Sequence, residues 1–161
     1  MNWYCLYTAS NHEKRVLRML EKQNQEAFLP THTVVRQWSD RKKKLERPLF
    51  PNYIFIRTEE KNLWKALSIS GVISPVKREN KPAIVEDQQI QMIRKTLGGE
   101  PEVTDETFTR NEFCKVTRGP LKGLEGYVVY QQNKTRIALQ VQLINKFIVL
   151  ETNPAYLEKV A

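Results

Sequence analysis

The side chains that most often hold metals or catalyse reactions are few in this sequence, and they are scattered. The only histidines are His12 and His32, and neither has a cysteine, histidine or carboxylate at a spacing typical of metal ligands. Cys5 and Cys114 form no CxxC pair, which predicts apolar packing rather than a disulfide framework or a zinc site. No P-loop, GxGxxG, GxSxG or HExxH motif occurs. We therefore expect a binding protein without catalytic residues, bound metal or cofactor.

An aromatic and proline-rich stretch offers the most distinctive chemistry for binding. The segment "LERPLFPNYIFIR", residues 45–57, brings Pro48, Phe50 and Pro51 directly before a predicted strand. Proline fixes the backbone, and aromatic rings supply much of the contact area in protein interfaces. This entry to the strand predicts a hydrophobic surface that is held in shape before a partner arrives.

The strand that follows divides its side chains between two faces. Because side chains alternate along a strand, Tyr53 and Phe55 share one face and Ile54 and Ile56 share the other. We predict that the isoleucines face the core and that the two aromatic residues face an interface. The alternative is that both faces are core.

Positive charge is concentrated on both sides of a short acidic segment. The net charge is +8. Residues 1–98 contain 18 lysines and arginines against 10 acids, residues 99–109 contain four acids and no base, and residues 110–161 contain 8 against 4. The excess predicts a polyanionic partner, with a role only in solubility as the alternative. We predict a first domain over 1–98, an acidic linker over 99–109 and a second domain over 110–161, because the linker begins with glycine and contains little that could bury itself.

The first domain shows the order strand, helix, strand, strand, helix, strand, which predicts a ferredoxin-like α+β sandwich. "NWYCLYT" is the first strand, and Ser10 with Glu13 forms a possible capping box for the helix that follows. Lys14, Arg18 and Lys22 recur every fourth residue on one outward face of that helix. "THTVVRQWSDRKKKLERP" predicts a hairpin with a basic tip. Either basic feature could be only a solvated surface.

The second domain alternates with a period of two. In "RIALQVQLINKFIVL", apolar and polar side chains take turns over the first half, which predicts a small antiparallel barrel of about five strands. Gly119, Gly123 and Gly126 lie between Val116 and Val128 in "KVTRGPLKGLEGYVV". Glycine permits sharp turns through positive φ and a close approach of two strands, which a small barrel needs.

The glycine segment resembles the KOW motif of transcription and ribosomal proteins. Together with "NWYCLYT" and "PLFPNYIFI", it makes the chain from Trp3 to its end resemble the NusG family of transcription elongation factors. "PLFPNY", "KPAIV" and "LINK" are most similar to the specialised RfaH-like or UpxY-like paralogues. The housekeeping pattern prefers glycine where Asn52 stands, and an aromatic residue followed by glycine where Ile144 and Asn145 stand.

The resemblance implies a ferredoxin-like N-terminal (NGN) domain that binds bacterial RNA polymerase through a hydrophobic depression, and a C-terminal KOW β-barrel. The clamp of the largest subunit would contact five residues that match the family motifs: Tyr7, Phe50, Pro51, Tyr53 and Phe55. The second large subunit would be contacted around Asn62 and Lys65, and non-template DNA would be contacted through Lys14, Arg15 and Arg18 on the first helix.

For the barrel, the resemblance implies a small-subunit ribosomal protein as partner, with Ile144, Asn145 and Lys146 as the matching edge. The missing aromatic residue puts binding of the termination factor Rho in doubt. Some specialised relatives refold this domain into a helical hairpin, but the period-two pattern favours the barrel as the resting form.

We predict a non-catalytic, cytoplasmic and monomeric elongation or antitermination factor that suppresses pausing and termination and does not associate with membranes. The alternatives are a housekeeping NusG-type factor that recruits Rho, or a KOW-type protein that binds ribosomes or RNA and ignores polymerase.

Overall fold

The computed structural model describes residues 1–160. In chain order, the strands are β1 (Asn2–Thr8), β2 (Glu26–Phe28), β3 (Thr31–Gln37), β4 (Lys42–Pro48), β5 (Tyr53–Thr58), β6 (Val72–Pro75), β7 (Lys77–Arg78), β8 (Lys81–Pro82), β9 (Ile84–Val85), β10 (Glu102–Thr104), β11 (Phe113–Val116), β12 (Glu125–Gln131), β13 (Lys134–Val141), β14 (Lys146–Glu151) and β15 (Leu157–Lys159). The helices are α1 (Glu13–Lys22), α2 (Leu63–Leu67) and α3 (Asp87–Thr96). Short 3₁₀ turns lie at Glu60–Asn62, Gln142–Ile144 and Pro154–Tyr156. None of the helices in this described part of the chain is long and apolar enough to cross a membrane.

The chain divides into two compact units, Met1–Ile90 and Gln91–Ala161. The first unit contains a sheet in the order β2-β5-β1-β6, with β9 also paired to β1. Its elements β1, α1, β2, β5, α2 and β6 follow the predicted order, and the α+β class is confirmed. In the antiparallel register of β1 and β5, Cys5 lies opposite Phe55 and Tyr7 lies opposite Tyr53.

One face of this sheet forms the core of the first unit. Strands β1 and β5 contribute Tyr4, Leu6, Ile54 and Ile56, which are all buried. The rest of this cluster comes from the helices and their connections: Val16, Leu20, Leu29, Leu63, Ala66 and Ile69. The isoleucines of β5 therefore face the core, as the alternation predicts.

Helix α1 begins without the predicted capping box. His12 is at its N-cap position and makes no side-chain hydrogen bond to the first turn. The Ser10 hydroxyl instead lies 3.3 Å from the Asn52 side-chain amide, and Glu13 is buried. Because the helix begins at Glu13 with His12 at the N-cap, Ser10 lies two residues before the capping position and Glu13 is not at the third helical position that the capping box requires.

The second unit contains a sheet in the order β10-β14-β13-β12-β11-β15. Five of these strands match the predicted small barrel, and β10 is added at its end from within the segment predicted as a linker. The buried side chains of β13 include Ile137, Leu139 and Val141, as the alternation predicts. Ala138, on the other face of β13, is also buried, in a second cluster with Phe108 and Phe147.

The three glycines of the KOW-like segment have two separate functions. Gly119 and Gly123 have φ values of +84° and +93°, which suit glycine best. Gly126 lies in β12, where a Cβ atom would come 2.6 Å from the carbonyl oxygen of Ala138 on β13. Two glycines make the turn and the third allows the two strands to approach closely, as expected from the sequence.

Candidate functional site

An aromatic pair lies at one end of the first sheet. Tyr7 on β1 and Tyr53 on β5 face each other across the strands, with ring centroids 5.5 Å apart at an interplanar angle of 65°. Tyr7 is 38 % exposed and Tyr53 is half-buried, and Pro51, two residues before Tyr53 in the chain, is exposed. We call these three residues, the paired tyrosines and the proline of the adjoining turn, the tyrosine patch.

Phe50 and Phe55 lie beneath the surface rather than on it. Each is only 1 % exposed, and their rings meet edge to face with centroids 6.4 Å apart. Phe28 from β2 also stacks on Phe55, with ring centroids 6.1 Å apart. The expectation that Tyr53 and Phe55 are both exposed on one face therefore holds only for Tyr53. Phe55 lies further from the end of the sheet, where Phe50 folds back over it.

The turn before β5 fixes the position of Tyr53. Asn52 has a φ of +76°, a left-handed conformation that asparagine tolerates better than most residues. Its side-chain amide donates to the carbonyl oxygen of Thr8 at 3.0 Å, and its own carbonyl oxygen accepts from the Thr8 amide at 2.8 Å. Asn52 therefore fastens the turn to the end of β1, next to Tyr7.

A second aromatic residue is exposed at the short helix α2. Leu63 and Ala66 are buried, while Trp64 is 64 % exposed. The Lys65 ammonium lies 6.0 Å from the centre of the Trp64 ring. A cleft of about 680 Å³ is lined by this helix and by the segment that follows α1, residues 23–26, and its lining includes Asn62, Trp64 and Lys65. The two residues predicted here, Asn62 and Lys65, thus share one concave surface with Trp64, which the sequence analysis did not single out.

The candidate DNA-binding residues lie on the exposed face of α1. Lys14, Arg15 and Arg18 are all exposed. Lys14 also donates to the backbone carbonyl oxygen of Glu46 on β4, at 2.7 Å. This contact fastens the β3–β4 hairpin to α1 and joins two basic surfaces.

The β3–β4 hairpin has an aromatic residue at its basic tip. The strands pair along their whole length, from Thr31 opposite Pro48 to Gln37 opposite Lys42. Trp38 at the tip is 46 % exposed, and the Lys43 ammonium lies 4.9 Å from the centre of its ring. An ammonium at this distance over an indole forms a cation–π contact. The hairpin agrees with the sequence, whereas the position of Trp38 beneath a lysine was not predicted.

The barrel edge predicted to bind a partner lies at the turn before β14. Ile144 and Lys146 are half-buried, and Asn145 is exposed with a φ of +51°. The Lys146 ammonium forms an ion pair with Asp105, at 2.7 Å. The segment predicted as a linker therefore reaches this edge.

Both cysteines are buried and free, as the sequence predicts. Burial raises the pKa of the Cys5 thiol, which keeps it protonated. Burial also raises the pKa of Cys114, with a smaller contribution from the charge of Glu112. Within residues 1–160, no three histidine, cysteine or acidic residues come close enough together to hold a metal ion.

Comparison with known proteins identifies the family. The family model described as "Transcription termination factor nusG" matches residues 1–94. Two proteins named "Transcription termination/antitermination protein NusG" are similar over most of their length. That of Rickettsia conorii is 29 % identical over 94 % of this chain and 86 % of its own, and that of Pseudomonas aeruginosa is 27 % identical over 98 % of each.

A solved structure, "Domain interaction in Thermotoga maritima NusG", shares the fold. It covers 99 % of this chain and 97 % of its own, with a TM-score of 0.56 and 18 % identity. The family match extends over more than half of the sequence and includes β1, α1, the tyrosine patch and α2. The chain therefore belongs to the NusG family.

Proposed function

We propose that this chain is a non-catalytic transcription elongation and antitermination factor of the specialised RfaH-like or UpxY-like type. Its first domain binds the clamp of the largest RNA polymerase subunit through the tyrosine patch. The observation that carries this proposal is the edge-to-face pair of Tyr7 and Tyr53, with ring centroids 5.5 Å apart, Tyr7 exposed and Tyr53 half-buried, beside the turn that Asn52 fastens to Thr8. A preorganised aromatic surface loses little conformational entropy on binding, because its side chains are already ordered.

We propose different roles for the residues of the polymerase site, according to their burial. Tyr7, Tyr53 and Pro51 would contact the clamp, since they reach the surface. Phe50 and Phe55 would support the patch from below, since both are buried. A contact with the second large subunit would use Asn62 and Lys65 around the cleft at α2, with the exposed Trp64 as an added anchor. Tryptophan is among the residues most enriched at binding hot spots.

Non-template DNA would follow the exposed face of α1. Lys14, Arg15 and Arg18 would contact phosphates, which gives affinity that depends on salt but carries no sequence information. The fastening of the β3–β4 hairpin by Lys14 would extend this surface towards the basic hairpin tip. We expect the DNA contribution to weaken as the salt concentration rises.

The barrel would bind a small-subunit ribosomal protein through Ile144, Asn145 and Lys146. Such a contact would couple a ribosome to polymerase. The half-buried Ile144 and Lys146 and the exposed turn at Asn145 provide a small mixed apolar and basic surface for it.

Antitermination would follow from a difference in affinity. A factor that binds the active polymerase more tightly than the paused polymerase shifts the population towards the active state, and equal affinity shifts nothing. At saturating concentrations the factor should therefore shorten pauses on a DNA template. Unchanged pausing at saturation would show that the mechanism is wrong.

A polymerase pull-down tests the proposal directly. The chain with Tyr53→Ala should lose most of its binding relative to the unchanged chain, because truncating an aromatic hot spot commonly costs about 2 kcal/mol or more. Tyr130→Ala is the matched control, since Tyr130 is 70 % exposed but lies on β12 of the barrel. Equal binding by both variants would favour a KOW-type protein that ignores polymerase.

A housekeeping factor that recruits Rho is the second candidate, since the relatives above carry the termination/antitermination name. The backbone conformation at Asn52 and Asn145 does not distinguish a specialised factor from a housekeeping factor. Asn52 and Asn145 stand where the housekeeping pattern prefers glycine, yet both have positive φ values of the kind that glycine adopts. The specialised type therefore rests on Ile144 in place of an aromatic residue. A Rho-binding assay compares the unchanged full chain with its Ile144→Phe variant. The unchanged chain should show no binding. Tight binding by the unchanged chain would establish the housekeeping type.

A further inference from the structure

Strand β10 occupies a sheet edge that would otherwise be open. In the order β10-β14-β13-β12-β11-β15, β14 would be the edge strand if β10 were absent. The two strands are antiparallel, with Glu102 opposite Val149 and Thr104 opposite Phe147. An exposed edge presents unpaired backbone N–H and C=O groups, which can pair with another extended chain.

Two cations of the barrel are arranged to recognise acidic side chains at this edge. The Arg136 guanidinium lies 2.9 Å from a carboxylate oxygen of Glu102, and the Lys146 ammonium lies 2.7 Å from one of Asp105. The side chains of Arg136 and Lys146 are only 13 % and 23 % exposed. The cations therefore belong to the body of the barrel, and the acids approach them from outside.

Strand β10 has fewer and more exposed contacts than the strands of the barrel core. The strand has only three residues, and the side chains of Glu102 and Asp105 are 69 % and 81 % exposed. Ion pairs with such exposed partners contribute little to stability. The main apolar anchor is Phe108, whose ring meets Phe147 edge to face at 5.4 Å.

We propose that the β14 edge is a docking site for an extended acidic segment of a partner protein, and that β10 is the chain's own occupant, which the partner replaces. The proposal deepens the assignment of Lys146 to partner contact, and in that respect it rests on the proposed function. The required partner segment has an acidic residue opposite Val149, a second acidic residue three positions later to reach Lys146, and an apolar side chain that covers Phe147.

A protein segment fits this edge better than a nucleic acid does. A strand satisfies the alternating N–H and C=O groups of β14, which phosphates alone cannot do because they only accept hydrogen bonds. The present occupant also carries its two carboxylates at three-residue spacing on one extended backbone. Binding of RNA to Arg136 and Lys146 is then an outcome that the experiment must distinguish.

The first experiment releases β10 in the full chain. Glu102→Lys with Asp105→Lys should place like charges at both ion pairs and detach the strand. The matched control is Glu100→Lys with Glu106→Lys, which makes the same change of charge in the same segment, at side chains for which the described residues offer no ion pair.

Amide hydrogen exchange then reports the release. In the first variant, the β14 amides that face β10 should exchange about tenfold faster than in the control, while the amides of β13 keep their protection, because only the edge opens. The milder pair Glu102→Gln with Asp105→Asn should show a smaller change in the same direction. Equal exchange in the charge-reversed chain and its control would overturn the proposal.

The second experiment offers a replacement segment to the released edge. The probe is the peptide EPEVTDETFT, residues 100–109, titrated into the 15N-labelled charge-reversed chain. The peptide should shift the β14 resonances, and a peptide with Gln and Asn in place of Glu102 and Asp105 should bind at least about fivefold more weakly, because charge-assisted hydrogen bonds are lost.

The unchanged chain should respond less, because a tethered strand competes at a high effective concentration. Shifts that map elsewhere, or equal binding by both peptides, would overturn the proposal. Stronger shifts at β14 with an oligouridine than with the acidic peptide would overturn it in favour of a nucleic-acid site. Neither polymerase nor ribosome is present in these measurements, so their failure leaves the polymerase pull-down result standing, and the reverse also holds.

Discussion

The turn before β5 and the turn before β14 each contain an asparagine with a positive φ, but the side chain makes different contacts in the two turns. Asn52 and Asn145 have φ values of +76° and +51°, and each directly precedes a strand. The Asn52 side chain is hydrogen-bonded to the Thr8 carbonyl, whereas Asn145 is exposed and makes no side-chain hydrogen bond within the described residues. At the first turn the asparagine side chain holds two strands together. At the second turn asparagine only accommodates the positive φ, and its side chain makes no hydrogen bond to the other residues described.

The phenylalanines that follow these turns show a related difference. Phe55 in β5 is covered by Phe50, five residues earlier, in the segment that leads directly into this strand. Phe147 is covered by Phe108, which comes from a distant segment of the chain. Phe50 is a local cover, because the turn that carries it also leads into the strand of Phe55. Phe108 is a distant cover, because a segment remote in sequence must bind the barrel to place it on Phe147. We therefore expect the tyrosine patch to be preformed and the β14 edge to exchange its occupant.

The largest expected effect is on the local cover. Phe50→Ala should destabilise the first domain by about 3–5 kcal/mol, the usual cost of removing a fully buried phenylalanine. Urea unfolding followed by tryptophan fluorescence reports this domain alone, because Trp3, Trp38 and Trp64 all lie within it. A loss below about 1 kcal/mol, the size typical of a mild core change, would mean that Phe50 is not fixed by its turn.

Removing the distant cover should cost less and act locally. Phe108→Ala should destabilise the second unit by about 1–3 kcal/mol, because Phe108 lies in the smaller cluster rather than among the fully buried residues of β13. Amide hydrogen exchange should rise for β10 and the facing side of β14 and remain slow in β13. Global loss of protection would show that the cover is an integral part of the barrel.

Much of the fold was readable from the sequence because local patterns determined it. The period of two in β13 and the three glycines of the KOW-like segment predicted a barrel that the structure contains. Strand β10 was not predicted. Its three residues are too few to show a period, and four acids nearby resemble a solvated tether. Only pairing with a strand more than forty residues later makes it a strand.

The sequence predicted which residues lie at or near the tyrosine patch, but not how deeply each of them is buried. Alternation shows that Tyr53 and Phe55 share a face of the strand. It does not show which of the two is covered by other side chains and which remains accessible. Phe55 is buried because Phe50 folds back, and Tyr53 is nearer the end of the sheet. Trp64 could have been found, since Leu63 and Ala66 face inward on a helix and the two residues between them, Trp64 and Lys65, then point outward. The position of Trp38 beneath Lys43 depends on the hairpin geometry, which no local pattern predicts.

Replacing the asparagines by alanine should separate the two turns. Asn52→Ala should destabilise the first domain by about 2 kcal/mol, because both the tolerance of positive φ and the hydrogen bond to Thr8 are lost. Asn145→Ala should destabilise the barrel by about 1 kcal/mol, since only the backbone tolerance is lost. Tryptophan fluorescence in urea measures the first change, and hydrogen exchange of β13 measures the second. Equal losses would contradict the difference between the turns.

Replacing each asparagine by glycine should have the smallest effects, because glycine removes the side chain but still adopts the positive φ of the turn. Asn145→Gly should change barrel stability by less than about 0.5 kcal/mol, because easy access to positive φ offsets the greater freedom of the unfolded chain. Asn52→Gly should still destabilise the first domain by about 1 kcal/mol, the typical worth of a hydrogen bond, because glycine cannot donate to the Thr8 carbonyl. Reduced binding of Asn52→Gly to polymerase at a temperature where it is fully folded would tie the turn to the tyrosine patch. Unchanged binding would mean that Tyr7 and Tyr53 hold each other in place without it.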